Sequence, residues 1–328
     1  SNSMNRNFRS LWNDTTGTFV AVSENTKSHG KKTMSNPLAA VVGECLALKT
    51  ISVCIALCFG VAANAGPVGG VVAAGTASIN SGASTTTINQ SSQNAVINWQ
   101  SFNIAAGQTV QFVQPNSSSV ALNRVLGSDP SAIFGSLLAN GKVFLVNPNG
   151  VLFGKGAQVT VGGLVASTLN LSDRDFMSGN YRFSGDGQGA VLNQGSIQAD
   201  GGYVALLGAN VGNEGVIRAQ LGTVALAAGN AITLDVAGDG LLNVAVSQGA
   251  VNALVQNGGL IRADGGQVLL TAQAASGLLR SAVNNTGIIE ARTLQNHKGT
   301  ILLMGDMQTG SVNVGGTLNV SAPDGGDG

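Results

Sequence analysis

Four blocks of the chain repeat N-x-G-x-I-x-A followed by G-x-[VI]-x-L, and this repeat narrows the possible folds more than any other feature. The blocks begin at Asn193, Asn213, Asn257 and Asn285, which stand 20, 44 and 28 residues apart. The middle step reads as two periods of about 22, and a fixed period of about 20–50 residues marks a chain that stacks one small unit on the next. A glycine two places after each asparagine (Gly195, Gly215, Gly259, Gly287) allows a turn of positive φ. Ile197/Ala199, Ile217/Ala219, Ile261/Ala263 and Ile289/Ala291 follow, each pair spaced by two. After a further glycine come Val204/Leu206, Val224/Leu226, Val268/Leu270 and Ile301/Leu303, again spaced by two. That period puts each pair on one face of a strand. Gly141-Lys142-Val143-Phe144-Leu145 has the same form, so the winding begins before Asn193.

A unit of roughly 20 residues accommodates one turn of a parallel β-helix, whose turns stack about 4.8 Å apart with like residues in internal columns. A leucine-rich repeat of similar length would need L-x-x-L-x-L and a helical arc. Here the intervening segments are glycine-rich, and few stretches of helical period survive beyond residue 80. The expected fold class is therefore all-β, a parallel β-helix. With 328 residues, 10 % charged and 4 % aromatic, its core should be long, thin and aliphatic.

The first 65 residues have a different character. Met4 reads as the natural start. Lys27, Lys31, Lys32 and Lys49 precede an apolar run from Ile51 to Ala63, too short to span a bilayer. Ala63-Asn64-Ala65 fits the A-x-A cleavage rule, with Gly66 as the new N-terminus. Cys58 is a poor lipobox cysteine, because Leu57 stands where a small residue is needed. Cys45, Cys54 and Cys58 all fall in the removable segment, so the processed chain is free of cysteine. Its single histidine, His297, lies in an insertion between Ala291 and Gly299 that reads as a solvated loop. With no cysteine and a lone histidine, zinc sites and Ser-His or Cys-His catalysis are nearly excluded, and no cofactor is expected. Residues 66–328 carry ten basic and thirteen acidic side chains, with no basic patch for nucleic acid.

Three segments invite a chemical or binding role. In Asn147-Pro148-Asn149-Gly150 the proline presets φ, Asn149 and Gly150 tolerate left-handed backbone, and the asparagines can bond nearby main chain. Such a turn either sets the register of the early turns or touches a partner as well. The apolar positions Val96, Ile97, Trp99, Phe102, Ile104, Val110, Phe112 and Val113 read as N-terminal strands or a cap over the open core, with a partner-binding edge strand as the sharper alternative. Ser172-Asp173-Arg174-Asp175 sets two carboxylates beside an arginine. With no second acid–base cluster in company, it reads as a solvated turn rather than a glycosidase pair. Asp200 and Asp264 share one position in the repeat, and Gly185-Asp186-Gly187 and Gly238-Asp239-Gly240 only faintly resemble calcium turns.

Two regions resemble one family. Met4 to Arg9, Trp12-Asn13 and Val20 to Glu24 resemble the extended signal-peptide region of very large exported bacterial proteins. Residues 76–175 resemble the two-partner secretion domain of filamentous haemagglutinin and the high-molecular-weight adhesins. The matching stretches include Ile97-Asn98-Trp99, Phe102-Asn103-Ile104, Leu122-Asn123-Arg124-Val125, Asn140 to Gly150 and Gly163 to Leu169. The resemblance implies a right-handed parallel β-helix with an N-terminal cap and extra hairpins on its flank. It implies export by the Sec machinery and a partner, an outer-membrane β-barrel transporter with periplasmic POTRA domains. Family members carry two NPN motifs. Asn147–Gly150 matches the second. Gln114-Pro115-Asn116-Ser117 stands at the first, with Gln in place of Asn and Ser in place of Leu, closer to the high-molecular-weight adhesins.

The expected organisation is an extended signal-peptide region over 1–32, a signal peptide over 33–65, the secretion domain over 66–320 and a tail over 321–328. The expected function is a non-enzymatic secretion-targeting domain, exported through the periplasm and released or held at the cell surface. The rival readings are a self-standing adhesin for host-cell glycans or receptors and, behind it, a polysaccharide-degrading enzyme.

Overall fold

A computed structural model describes residues 8–13, 18–23, 66–236, 241–276 and 280–325. The chain divides into two units, residues 1–49 and 50–328. In the first, strand Phe8–Asn13 pairs antiparallel with Thr18–Ser23. The apolar run, the three cysteines, Ala63 and Ala65 lie outside the described residues, as does Gly238-Asp239-Gly240.

The second unit is a parallel β-helix of three faces, built from sheets of 10, 9 and 7 strands. The chain passes from the first face to the second to the third and back, as in Ser136–Ala139, Lys142–Val146 and Val151–Phe153. The repeat residues stack as the period requires. Ile197, Ile217, Ile261 and Ile289 pair in register on the first face. Val204, Val224, Val268 and Ile301 do so on the second. All but Ile301 are wholly buried, so each added turn removes a further aliphatic layer from water.

The 44-residue step is one turn, not two. Asn213 pairs directly with Asn257, and the surplus residues leave the coil as a hairpin, Ala231–Val236 with Leu242–Gln248. The hairpin joins Tyr181–Ser184 in a 3-stranded antiparallel sheet on the flank. Together with helix Asp173–Met177 this sheet covers the outer side of the second face. Strands such as Tyr203–Gly208 and Thr223–Ala228 are consequently buried at every position and apolar on both sides.

The core is less uniformly aliphatic than composition suggests. Phe144 packs against Phe176 and Tyr181 on the flank, with ring centroids 5.8 and 4.9 Å apart. At the N-terminal end Trp99 meets Phe102 edge to face at 5.6 Å inside the coil, and its indole N–H donates to Asn123 Oδ1 at 2.9 Å. Ile97, Trp99, Phe102, Ile104, Val110 and Phe112 all lie in that interior core, Val96 faces the flank, and Val113 is exposed. These residues form the first turns. The cap comes from upstream, where Val71–Ala74 and Ala77–Ser81 run antiparallel along the first strands and lay Val72, Ala77 and Ile79 on the core.

The motif glycines act differently from the expectation. Gly195, Gly215, Gly259 and Gly287 do not have positive φ. A Cβ on Gly215, Gly259 or Gly287 would collide with the carbonyl oxygen of the motif glycine one turn below. Glycine is required there because two backbones stack too closely for a side chain. Left-handed backbone falls at the next corner, at Gly201, Leu221 and Gly265.

Candidate functional site

Buried amides organise the corners of the coil. Asn193, Asn213, Asn257 and Asn285 point inward and are at most 1 % exposed. Each Nδ2 donates to the Oδ1 of the next: Asn193 to Asn213 at 2.8 Å, Asn213 to Asn257 at 2.9 Å, Asn257 to Asn285 at 2.8 Å. Such a ladder satisfies polar groups that would otherwise sit unpaired in an apolar interior. A repeated N-x-G reads as a turn, and only its recurrence at one stacked position reveals the ladder.

Asn147 does the same work at the corner between the second and third faces. It is fully buried. Its Nδ2 donates to the Asp129 carbonyl and the Ser131 hydroxyl of the turn below, both at 3.0 Å, while its backbone N–H reaches the Ser167 carbonyl above at 2.9 Å. Its Oδ1 accepts the Asn149 N–H at 3.0 Å, and Gly150 closes the bend at φ 123°. Pro148 and Asn149 project outward and are exposed. Asn149 keeps two side-chain ties, its Nδ2 donating to the Gly127 carbonyl at 3.0 Å and to Asn147 Oδ1 at 3.2 Å. The following glycine-rich loop crosses the backbone of this bend: a Cβ on Gly187 would lie 2.9 Å from the Pro148 carbonyl oxygen.

Gln114-Pro115-Asn116 repeats this division at another corner, between the first and second faces. Gln114 is buried; its Nε2 donates to Gln90 Oε1 at 3.1 Å and to the Lys142 carbonyl at 3.2 Å, and its Oε1 accepts the Gly141 N–H at 2.9 Å. Pro115 and Asn116 are exposed, Asn116 exchanging two hydrogen bonds with Gln93. Glutamine in place of asparagine thus still bridges three turns. The structure keeps the two motifs at separate corners.

Beside the Pro148–Asn149 apex lies a cleft of about 340 Å³, lined among others by Arg124, Leu126, Val146 and Asn170. Leu126 is 59 % exposed and was not singled out from the sequence; a leucine immediately before the glycine of a bend was the available signal. Arg124 is a structural clamp. It donates to Asn98 Oδ1 at 3.1 Å and Asn170 Oδ1 at 2.9 Å, and pairs with Asp173 at 2.7 Å. Asp173 therefore faces an arginine from an early turn, and Ser172 Oγ accepts the Asp175 N–H as the cap of the flank helix. Ser172 to Asp175 is a capped helix start rather than the solvated turn expected.

The remaining candidates are also structural. Asp200 accepts the Gln220 N–H of the next turn at 2.9 Å. Asp264 pairs with Arg292 at 2.7 Å. Burial alone would raise the Asp264 carboxyl, but the hydrogen bonds and charge of Arg292, helped by Arg262, hold it below the usual carboxylate range. His297 is exposed on a small loop closed by Leu294. Among the described residues no group of three His, Cys, Asp or Glu side chains converges as a metal site.

Comparison with known proteins agrees with this architecture. The family model of the TPS secretion domain matches residues 63–320, and that of the Extended Signal Peptide of Type V secretion system matches residues 4–53. The chain is 38 % identical over 250 residues to a heme/hemopexin-binding protein of Haemophilus influenzae strain Rd, covering 73 % of this chain and 27 % of that protein. A second heme/hemopexin-binding protein from Haemophilus influenzae is 37 % identical over 234 residues, covering 63 % of this chain and 25 % of that protein. The chain thus spans about a quarter of the length of these relatives. The crystal structure of the HMW1 secretion domain from Haemophilus influenzae superposes with a TM-score of 0.61 at 28 % identity, over 78 % of this chain and 84 % of that one. A chain with this leader and this domain is exported under a Sec-dependent signal peptide, crosses the periplasm and passes a cognate outer-membrane transporter to the surface or the medium. The stacked coil, its covered flank and the two family matches lead to one conclusion: the chain belongs to the two-partner secretion domain family and carries the extended signal peptide of type V secretion.

Proposed function

We propose that the domain is read by the POTRA modules of its transporter at the outward apex of Pro148 and Asn149, with Leu126 and the adjoining cleft completing the surface. The observation that carries this reading is the division within one four-residue motif. Asn147 and Gly150 are buried within the fold, whereas Pro148 and Asn149 are exposed, Asn149 tied to the coil only through its Nδ2 and backbone N–H, so that both side chains face outward. Apolar and amide groups on a rigid, prepaid bend dock without a large loss of conformational freedom. Pro148→Ala with Asn149→Ala should lower the unfolding midpoint of the secreted chain less than Asn147→Ala does, because the two side-chain hydrogen bonds it removes are made by an exposed residue. Its docking on the transporter should be about tenfold weaker, as for one interface residue worth about 1.4 kcal/mol, and secretion should fall with it. Asn147→Ala should instead lose about 2 kcal/mol of stability, because it strands partners in the turn below. Secretion of the double variant at the parental rate would refute the docking surface.

A second reading concerns what the exported protein meets outside the cell. Likeness to two heme/hemopexin-binding proteins favours binding of heme or hemopexin over adhesion to host-cell glycans or receptors. Hemopexin binding to the secreted protein, compared with its binding to a glycan array, separates the two.

A further inference from the structure

We propose that the amino group freed at Gly66 by signal cleavage is held by the side-chain oxygen of Gln108, so that processing itself fastens the N-terminal end of the coil. The proposal rests on cleavage between Ala65 and Gly66 and is independent of how the transporter is recognised. A cleft of about 130 Å³ opens at Gly66 and Pro67, between the bend at Ser81–Thr85 and the start of the next turn at Gln108. Gln108 Oε1 is buried there without a hydrogen-bond donor. A buried acceptor left unmade is uncommon and points to a missing partner.

Gly66 is placed to supply it. The position of a Cβ on Gly66 is 3.4 Å from the Thr86 hydroxyl and 3.9 Å from Gln108 Oε1, the two nearest groups. Two residues on, Val68 is tied to the first turn by its N–H to the Ser101 carbonyl at 2.9 Å and by the Gln100 N–H to its own carbonyl at 3.0 Å. Pro67 between them fixes its own φ, so little freedom is left to the terminus. Before cleavage the Gly66 nitrogen is an amide with one proton. Afterwards it is an ammonium with three protons and a positive charge, and charge-assisted hydrogen bonds are the stronger kind. The hydrolysis adds water across the Ala65–Gly66 bond, leaving a carboxylate on the released peptide and this ammonium on the coil.

The test uses the full chain exported by cells that carry its transporter. Intact mass of the secreted product identifies its first residue. The product is then acetylated briefly at neutral pH, and the rate at its N-terminal peptide is compared with that of a free peptide beginning Gly-Pro-Val. The proposal expects a Gly66 terminus that reacts at least about tenfold more slowly than the free peptide. Gln108→Leu should return the rate toward the peptide value, and Gln108→Glu should keep it slow. A Gly66 terminus reacting as fast as the peptide, or a Gln108→Leu product as slow as the parent, would overturn the contact. The parental rate decides the matter even if a variant fails to appear. A product beginning at another residue would overturn the processing step, and mass alone distinguishes that failure.

Discussion

Asn257→Asp should cost the coil more than about 3 kcal/mol in chemical denaturation, although the two side chains have nearly the same shape. The Nδ2 that would be replaced faces the Asn285 Oδ1 at 2.8 Å and the carbonyls of Gly259 and Ile288 at 3.4 Å. A carboxylate there turns donor contacts into oxygen facing oxygen, at a position that is fully buried. The defect should also depend on pH. Burial and the surrounding oxygens raise the pKa of the new acid above its unfolded value, so the full penalty applies above the folded pKa. It should shrink as pH falls through that pKa and the acid becomes neutral. Asn257→Ala should cost less, about 2 kcal/mol, by leaving the Asn285 Oδ1 without the Asn257 donor and the Asn213 Nδ2 with only its 3.3 Å contacts to the Gly215 and Leu260 carbonyls. An Asn257→Asp protein as stable as its parent at neutral pH would show that the ladder contributes nothing.

Val224→Asp should have the second large effect, about 3–5 kcal/mol, and should slow the appearance of the chain outside the cell. Val224 is wholly buried between Val204 and Val268 in the middle of the second face. A turn carrying a carboxylate at that place can neither bury it nor template the turn after it. Folding outside the cell, one turn upon another, then loses its bias at this layer. Val224→Ala removes volume without charge and should be exported faster than Val224→Asp. Pulse-labelled chains reaching the medium at the parental rate, together with a measured loss of stability, would show that folding does not drive release.

The legible and illegible parts of this protein differ for physical reasons. Columns of Ile197, Val204 and their successors could be read because inward residues of a strand recur at period two and the turns repeat. The flank hairpin could not be separated from the coil, since Ala231–Val236 and Leu242–Gln248 alternate much as coil strands do. Its 44-residue step therefore passed for two turns. The signal for it lay in the outer side of the second face, where Tyr203, Ala205 and Leu207 are apolar and need a cover. The bend at Asn147–Gly150 was legible as a bend. Which of its residues face inward was not, because Asn147 and Asn149 are the same residue type and only the stacking of turns below and above decides between them.

In the docking proposed above, buried amides build the coil and the apex left outside meets the transporter. A photo-crosslinking residue placed at Asn149 in the full chain, in cells engaged in export, tests it most directly. Pro148–Asn149 docking predicts an adduct with the transporter that is absent when the same residue replaces exposed Gln220, on a distant corner of the coil. Equal adducts from both positions, or none from 149 while export proceeds, would contradict it.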